Sequence, residues 1–284
     1  MNYQNIIYDV ADQIATVTLN RPAQMNALSA ALLEEYVYAL KSAERDDNVR
    51  VVIVKAAGEH FCAGYDVAAS DEDYSKGMSE DYVPFVDDKL NLDFLWGATE
   101  TAWHLTKPVI AQVHGYCMAG GNDIAGQCDI VIAADDAVIQ QPQSRRLGLS
   151  FNHIYAYKCG PQWAKILLLT GDPVSGREAE RLGIAAMAFP REELEDAVLK
   201  LARRLALLDP TMAAMNKLAV NRAYESMGLP QARESAKALD TIAHVAPVMQ
   251  KFVATAAESG LRTALRENEA PYREAERPFK VPGI

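Results

Sequence analysis

Long apolar runs are missing from this chain of 284 residues, although half of its residues are hydrophobic. A membrane helix needs about eighteen consecutive residues with few charges, and no such run occurs. The first residues also lack the basic cluster and apolar stretch that a secretion signal needs. The sequence therefore predicts no membrane partner and a cytoplasmic location.

Cysteine is scarce, with four widely spaced residues that form no C-x-x-C pair. A chain of this length buries enough apolar surface to fold without disulfide bonds. Reduced thiols are therefore expected, and the sequence predicts no metal site. The four residues are Cys62, Cys117, Cys128 and Cys159.

Basic residues are outnumbered, with 28 lysines and arginines against 38 aspartates and glutamates and a net charge of -10. Such a surface repels a phosphate backbone, so nucleic acid is excluded as the main partner. A small anionic ligand is still compatible with this charge, because helix N-termini bind phosphate groups whatever the overall sign.

Short β-branched runs alternate with loops and helical patterns through the first half of the chain. Two strands at 6–10 and 14–19 predict a hairpin, and residues 30–45 have the apolar spacing of a helix that Ser29 caps. The same order recurs, which predicts an α/β core built from repeating units. Further strands are predicted at 49–55, 109–113, 130–134 and 137–140, with a loop at 114–121 and a short helix at 122–128.

Helical patterns dominate the second half of the chain. Residues 175–178 form a capping box, and Gly183 follows as a helix C-cap. The change of pattern separates a core of residues 1–205 from a helical region of residues 206–284. An acidic segment inside the core, residues 68–80, is either a flap over a site or a surface insertion.

A glycine-rich segment, residues 115–122, has the spacing of a phosphate-binding P-loop. Its chemistry does not fit, because Gly121 stands where that loop needs lysine and Asn122 where it needs serine or threonine. No G-x-G-x-x-G follows a strand either, so a dinucleotide site is excluded too.

The same segment leads from a strand through glycines into a helix, which leaves free N–H groups at the helix start. A substrate oxygen can approach the backbone of Gly120 closely, and Asp123 lies three residues later on the same helix face. Both groups can then face one ligand. The alternative is structural, since glycine pairs also serve close packing and an aspartate in the first turn also complements the helix dipole.

Several ordered segments resemble the crotonase superfamily, which is also called the enoyl-CoA hydratase/isomerase family. The likeness covers residues 5 to about 190, and the order of these motifs along the chain makes it a strong signal. The segments are Thr18 to Pro22 with Asn26 to Ser29, Phe61 to Asp66, Lys107 to Gly121 with gaps, Cys128 to Ile130, and Leu168 to Gly171.

The resemblance implies a spiral of repeated ββα units and a C-terminal helical trimerisation region, assembled as a homotrimer or a dimer of trimers. It implies an acyl-CoA substrate, with coenzyme A as part of that substrate and no permanently bound cofactor. An oxyanion hole is implied at the backbone N–H groups of Tyr65 and Gly120, where an enolate oxygen is stabilised. The implied coenzyme A site is lined by Gln24, Ala27, Leu28, Ala63, Asp66, Val67 and Ala68.

The chain departs from the family pattern at two positions that carry glutamates in the hydratases. Asp123 takes the first position, and Gln143 takes the second, where an amide positions water but exchanges no proton. His153 is a candidate replacement acid or base, and a surface or core histidine is the alternative.

The first functional hypothesis is hydration of a 2-enoyl-CoA, with Asp123 as the main proton carrier. Double-bond isomerisation is the second, because it needs one carboxylate. Hydrolysis of a CoA thioester or a β-diketone is a third, since the same oxyanion hole serves it. A non-catalytic acyl-CoA-binding protein is the alternative from another class, and Gln143 favours it.

Overall fold

The computed structural model describes residues 2–66, 84–145, 147–149 and 154–277. Three of the predicted site residues, Val67, Ala68 and His153, lie outside these ranges. Across the described residues, every helix is too short or too polar to cross a membrane.

The larger sheet of the described chain consists of six strands, β1 (Ile6–Ala11), β2 (Ile14–Leu19), β3 (Val51–Ala56), β4 (Val109–Val113), β6 (Ile130–Ala134) and β9 (Met187–Phe189), in the order β1-β2-β3-β4-β6-β9. β1 and β2 form the predicted antiparallel hairpin, and the later pairs are parallel. β2, β3 and β4 are almost fully buried. Their runs of valine, isoleucine and alanine follow from this burial, because a sheet that is covered on both faces needs no polar alternation.

A smaller sheet contains β5 (Tyr116–Met118), β7 (Val138–Gln140) and β8 (Val174–Ser175), in the order β5-β7-β8. β5 pairs with β7 in parallel, and β8 pairs with β7 in antiparallel orientation. The prediction of a glycine-containing loop at 114–121 is therefore wrong at 116–118, which form β5, and at 120–121, where α4 has already begun. Strands of two or three residues are too short for a period of two to be recognised in the sequence.

Eight helices lie in this part of the described chain: α1 (Ala30–Arg45), α2 (Pro84–Thr99), α3 (Thr101–His104), α4 (Gly120–Gln127), α5 (Ile154–Lys158), α6 (Gly160–Thr170), α7 (Gly176–Leu182) and α8 (Leu194–Ala206). Of these, α1, α4, α7 and α8 pack on strands of the two sheets. α1 begins as predicted, since the Ser29 side chain accepts the N–H of Leu32 at 3.3 Å. α7 is capped by Ser175 and ends at Gly183, whose φ of 82° suits glycine. The predicted α/β class is confirmed.

Four more helices follow, α9 (Pro210–Ser226), α10 (Leu229–His244), α11 (Pro247–Ser259) and α12 (Leu261–Glu274). α10 packs against α2, and α2 also contacts α4. The helical region also contacts α4 directly, since Nη2 of Arg233 in α10 donates to Oε1 of Gln127 at the end of α4, at 2.9 Å. The division of the chain at residue 205 stays a prediction.

Candidate active site

Two loops of the core are joined by backbone hydrogen bonds next to the start of α4. The N–H of Phe61 donates to the carbonyl of His114 at 2.8 Å, and the N–H of Cys62 donates to Tyr116 at 2.9 Å. The N–H of Met118 donates back to Cys62 at 2.9 Å. Backbone pairing therefore fixes the position of residues 61–66 relative to the glycine-rich segment.

Glycine is required where the two loops approach each other. A Cβ on Gly120 would lie 2.8 Å from Leu28 Cδ1 and 2.9 Å from Tyr65 Cε2, closer than ordinary contact. Gly64 has a φ of 110°, and a Cβ there would lie 2.9 Å from Ala119 Cβ and 3.7 Å from the Gly120 nitrogen. The backbone of Gly120 thus lies against the Tyr65 ring and close to the segment that carries the Tyr65 amide.

The N–H groups of Tyr65 and Gly120 make no hydrogen bond to another backbone group among the described residues. Ala119 precedes α4 with φ 46° and ψ -118°, an unusual conformation for a residue with a side chain, which costs roughly 1–3 kcal/mol. The carbonyl of Ala119 accepts the N–H groups of Asn122 and Asp123. The Gly120 amide therefore stays available at a helix N-terminus, which favours negative charge.

Asp123 is buried at this point, with 1% of its surface exposed. Its Oδ2 accepts the hydroxyl of Tyr65 at 3.2 Å, and its Oδ1 accepts Nε2 of Gln141 at 3.4 Å. Burial raises the pKa of Asp123 well above its ordinary value, and the hydrogen bonds from Tyr65 and Gln141 oppose this shift without cancelling it. The surroundings of Asp123 thus disfavour its charged form relative to a carboxyl group in water.

Gln143 is linked to Asp123 through Gln141. Nε2 of Gln143 donates to Oε1 of Gln141 at 2.7 Å, and Gln141 in turn donates to Asp123. Oε1 of Gln143 is buried and has no hydrogen-bond partner among the described residues. The structure therefore brings Tyr65, Gly120, Asp123 and Gln143 together, and Gln141 is a member of the site that the sequence did not indicate.

The predicted coenzyme A loops also lie beside each other. The N–H of Leu28 donates to the carbonyl of Gly64 at 2.8 Å, and the N–H of Asp66 donates to Leu28 at 3.0 Å. The N–H of Ala63 donates to Met25 at 3.0 Å. Gln24 and Ala27 flank the turn at Met25, whose φ is 49°.

Arg21 holds these two loops together, a contact that no local sequence pattern indicates. Its Nη1 donates to the carbonyl of Ala27 at 2.6 Å and to Oδ2 of Asp66 at 2.8 Å. Asn26 is fully buried and donates to the carbonyls of Ala57 and His60. The loops that carry Leu28 and Tyr65 are thus held together on both sides.

Arg145 connects the segment of Gln143 to the C-terminal helix. Its side chain is fully buried and pairs with Asp172 at 2.8 Å and with Glu269 of α12. The ring of Tyr272 stacks on the guanidinium, 4.2 Å from its carbon. The 3-10 helix Pro142–Arg145 is therefore held by residues more than a hundred positions away.

The fold is an α/β fold of the crotonase type, and comparison with known proteins agrees. The profile of the family described as Enoyl-CoA hydratase/isomerase matches residues 9–257. The chain belongs to this family, and it is an enzyme of the hydratase/isomerase type.

Three similar proteins illustrate this membership. EchA13 of Mycobacterium tuberculosis, which carries the provisional name enoyl-CoA hydratase, is 35% identical over 85% of this chain and 81% of its own length. The short-chain-enoyl-CoA hydratase of Clostridium acetobutylicum is 30% identical over 79% of this chain and 84% of its own. The crystal structure of an enoyl-CoA hydratase from Mycobacterium smegmatis superposes with a TM-score of 0.88 at 35% identity, and the match covers 95% of this chain and 94% of that one.

Proposed function

We propose that this protein adds water to the double bond of a 2-enoyl-CoA. One observation carries the proposal. The buried carboxyl group of Asp123 accepts a hydrogen bond from the hydroxyl of Tyr65, next to the backbone N–H groups of Tyr65 and Gly120, which are available to a ligand. Such an arrangement suits a reaction in which a thioester oxygen becomes negative while a proton moves nearby.

Water, the enoyl thioester and the named protein groups account for every bond and proton in this reaction. Water forms a bond from its oxygen to C3 and gives up a proton, while the C2–C3 π electrons move to the thioester oxygen. The enolate oxygen accepts hydrogen bonds from the amides of Tyr65 and Gly120, each worth on the order of 3 kcal/mol in the transition state. The enolate then collapses as C2 takes a proton, which gives the 3-hydroxyacyl-CoA.

Asp123 is the proton carrier of the proposal, because it accepts a proton from water and returns one to C2. Burial raises its pKa, which makes the carboxyl group a stronger acceptor for the proton that water gives up. Gln143, through Gln141, holds the water in place. An amide of this kind supplies hydrogen bonds but no proton.

Double-bond isomerisation is the second candidate, and the neutral side chain of Gln143 favours it. One carboxyl group that removes a proton from C2 and returns it to C4 is sufficient there. The neutral side chain of Gln143 also suits non-catalytic acyl-CoA binding, which the absence of turnover with every substrate would indicate. Hydrolysis of a thioester or a β-diketone has no feature of the described site in its favour.

The proposal also covers the binding of coenzyme A, as part of the substrate and without a resident cofactor. Coenzyme A binds between the loops of Gln24 to Leu28 and Ala63 to Ala68.

The proposal further includes an assembly of three copies, or of two such trimers, in the cytoplasm. The helical region of residues 206–284 forms the contacts between copies. The exposed apolar side chains along α9 support this assembly, namely Met212, Met215, Leu218 and Val220.

Mass spectrometry of 2-enoyl-CoA substrates of different lengths tests the function. A gain of one water is expected, and an unchanged mass with a shifted double bond identifies the isomerase. Asp123→Asn should reduce turnover by at least about a hundredfold, because general acid–base catalysis contributes that much or more. Full activity of this variant would show that another group carries the proton.

A further inference from the structure

Arg145 is bound at all three nitrogens of its guanidinium group. Nε donates to the carbonyl of Thr170 at 2.9 Å, Nη2 donates to Oδ1 of Asp172 at 2.8 Å, and Nη1 donates to Oε2 of Glu269. The ring of Tyr272 covers the guanidinium carbon at 4.2 Å. None of the Arg145 side chain is exposed. A planar group that is held from three sides has one position, so Arg145 is a fixed point of the structure.

Stability alone does not account for this buried cation. The desolvation of a guanidinium and two carboxylates offsets most of their attraction, and apolar residues of similar volume often stabilise a protein as well. Asp172 follows α6, whereas Glu269 and Tyr272 belong to α12, the last helix of the described chain. The contacts therefore fix the position of Arg145 relative to two elements that are far apart in the sequence.

The 3-10 helix that ends at Arg145 also contains Gln143. A 3-10 helix of 4 residues has little stability of its own, so contacts with the rest of the protein decide where it lies. The turn at Gly171 packs directly on it, because a Cβ there would lie 2.9 Å from Nε of Arg145 and 3.1 Å from Oγ of Ser144. A displacement of Arg145 therefore displaces Gln143, two residues earlier in the same helix.

Gln143 connects this 3-10 helix to Asp123. Its Nε2 donates to Oε1 of Gln141 at 2.7 Å, and Nε2 of Gln141 donates to Oδ1 of Asp123 at 3.4 Å. An ionised carboxylate only accepts hydrogen bonds, so it sets the direction of both amides. Oε1 of Gln143 is left as an acceptor, and it is buried without a partner among the described residues. Through this oxygen Gln143 holds the water of the proposed reaction.

We infer that Arg145 is a positioning residue, which keeps Gln143 in place against the reacting water through its contacts with α12. The inference rests on the proposed function, in which Gln143 holds that water. The last helix supplies no group to the reaction, but it holds the residue that fixes Gln143. Loss of the contact between Arg145 and α12 should therefore lower kcat and leave substrate binding largely intact.

Glu269→Ala tests the inference, because it removes one anchor of Arg145 and leaves Asp172 as its counter-charge. We expect kcat for a 2-enoyl-CoA to fall about tenfold with little change in KM, since a misplacement of about 1 Å costs roughly a hundredfold and a smaller one costs less. Glu267→Ala is the matched control, because Glu267 is exposed on the same helix and its loss should leave kcat unchanged.

A double-mutant cycle separates positioning from a general loss of packing. In a Gln143→Leu background, Glu269→Ala should cause no further fall in kcat, because the displaced side chain no longer holds water. An equal fall in both backgrounds overturns the inference, as does an unchanged kcat in Glu269→Ala or an equal fall in Glu267→Ala. Each variant is assayed well below its thermal midpoint, so that unfolded protein does not contribute to the difference.

The position of Gln143 is also measured without substrate, from the nitrogen and proton NMR signals of its side-chain amide, which Gln143→Leu identifies by their loss. Glu269→Ala should shift these signals, and Glu267→Ala should not. Unchanged signals in Glu269→Ala overturn the inference. Shifted signals in a protein that turns over no acyl-CoA support the positioning by Arg145 and refute the proposed function alone.

Discussion

Replacing Gly120 by alanine isolates the close approach between the glycine-rich segment and Tyr65. The added methyl group would lie 2.8 Å from Leu28 Cδ1 and 2.9 Å from Tyr65 Cε2. Ordinary contacts begin at 3.4 Å, so the two side chains must retreat by about 0.6 Å and about 0.5 Å. Movement of the ring carries its hydroxyl away from Asp123, and the amide of residue 120 shifts with the start of α4.

The size of the effect follows from these distances. Both obstacles are ends of side chains, so the fold should survive with a loss of about 1–3 kcal/mol, which is typical of overpacking. Misplacement by about 1 Å costs roughly a hundredfold in rate, and half of that distance costs about tenfold. We therefore expect kcat of Gly120→Ala to fall between tenfold and a hundredfold, with a smaller change in KM.

Steady-state kinetics on an active enoyl-CoA, with thermal unfolding in parallel, measures this outcome. Gly97→Ala is the matched control, because this exposed position in α2 has no atom within 4 Å of the added methyl group. It should keep full activity and gain up to about 1 kcal/mol of stability, since alanine favours a helix. Unchanged kcat in Gly120→Ala would refute the reasoning, because neither the Tyr65 ring nor the amide would then matter.

Three other changes give defined results. Asp123→Asn should unfold at a higher temperature than the unmodified protein at pH 7. Folding raises the pKa of Asp123, so the free energy of unfolding of the unmodified protein falls as pH rises above the unfolded pKa of about 4. Equal thermal midpoints of the unmodified protein at pH 5 and pH 8 would contradict this. Tyr65→Phe removes a hydrogen bond to the charged form of Asp123, so the pKa of Asp123 in the pH profile of kcat should rise. A fall in this pKa would contradict the hydrogen bond between the two side chains. Gln143→Glu should raise the rate of hydration about tenfold or more in a coupled assay, and no gain would show that position 143 does not face the reacting atoms.

Much of the fold could be predicted from local sequence patterns. The hairpin of β1 and β2 and the helix α1 follow from strong periodicity and a good N-cap, which depend on neighbouring residues. β5, β8 and β9 were not predicted, because they have two or three residues each and exist through pairing with distant strands. Local patterns contain no information about such pairing.

Some residues of the candidate active site could be predicted from the sequence, and others could not. Gly120 and Asp123 could be singled out because they are three residues apart at a helix start. Gln141 could not, since its contact with Asp123 depends on how β7 is placed beside α4. Gly120 itself lies against Leu28 and Tyr65, and no spacing rule relates these positions to the glycine-rich segment. Packing between distant loops decides which residues meet there.

The buried guanidinium of Arg145 has a consequence for the order in which the protein matures. Its counter-charges come from Asp172 and from Glu269, which is translated long after the strands of the core. While a chain is still being synthesised, the cation has only one of its two acidic partners and lacks the aromatic cover of Tyr272. The short helix that contains Arg145 is therefore fully held only after α12 has emerged from the ribosome. The segment that carries Gln143 reaches its final position once α12 docks on it.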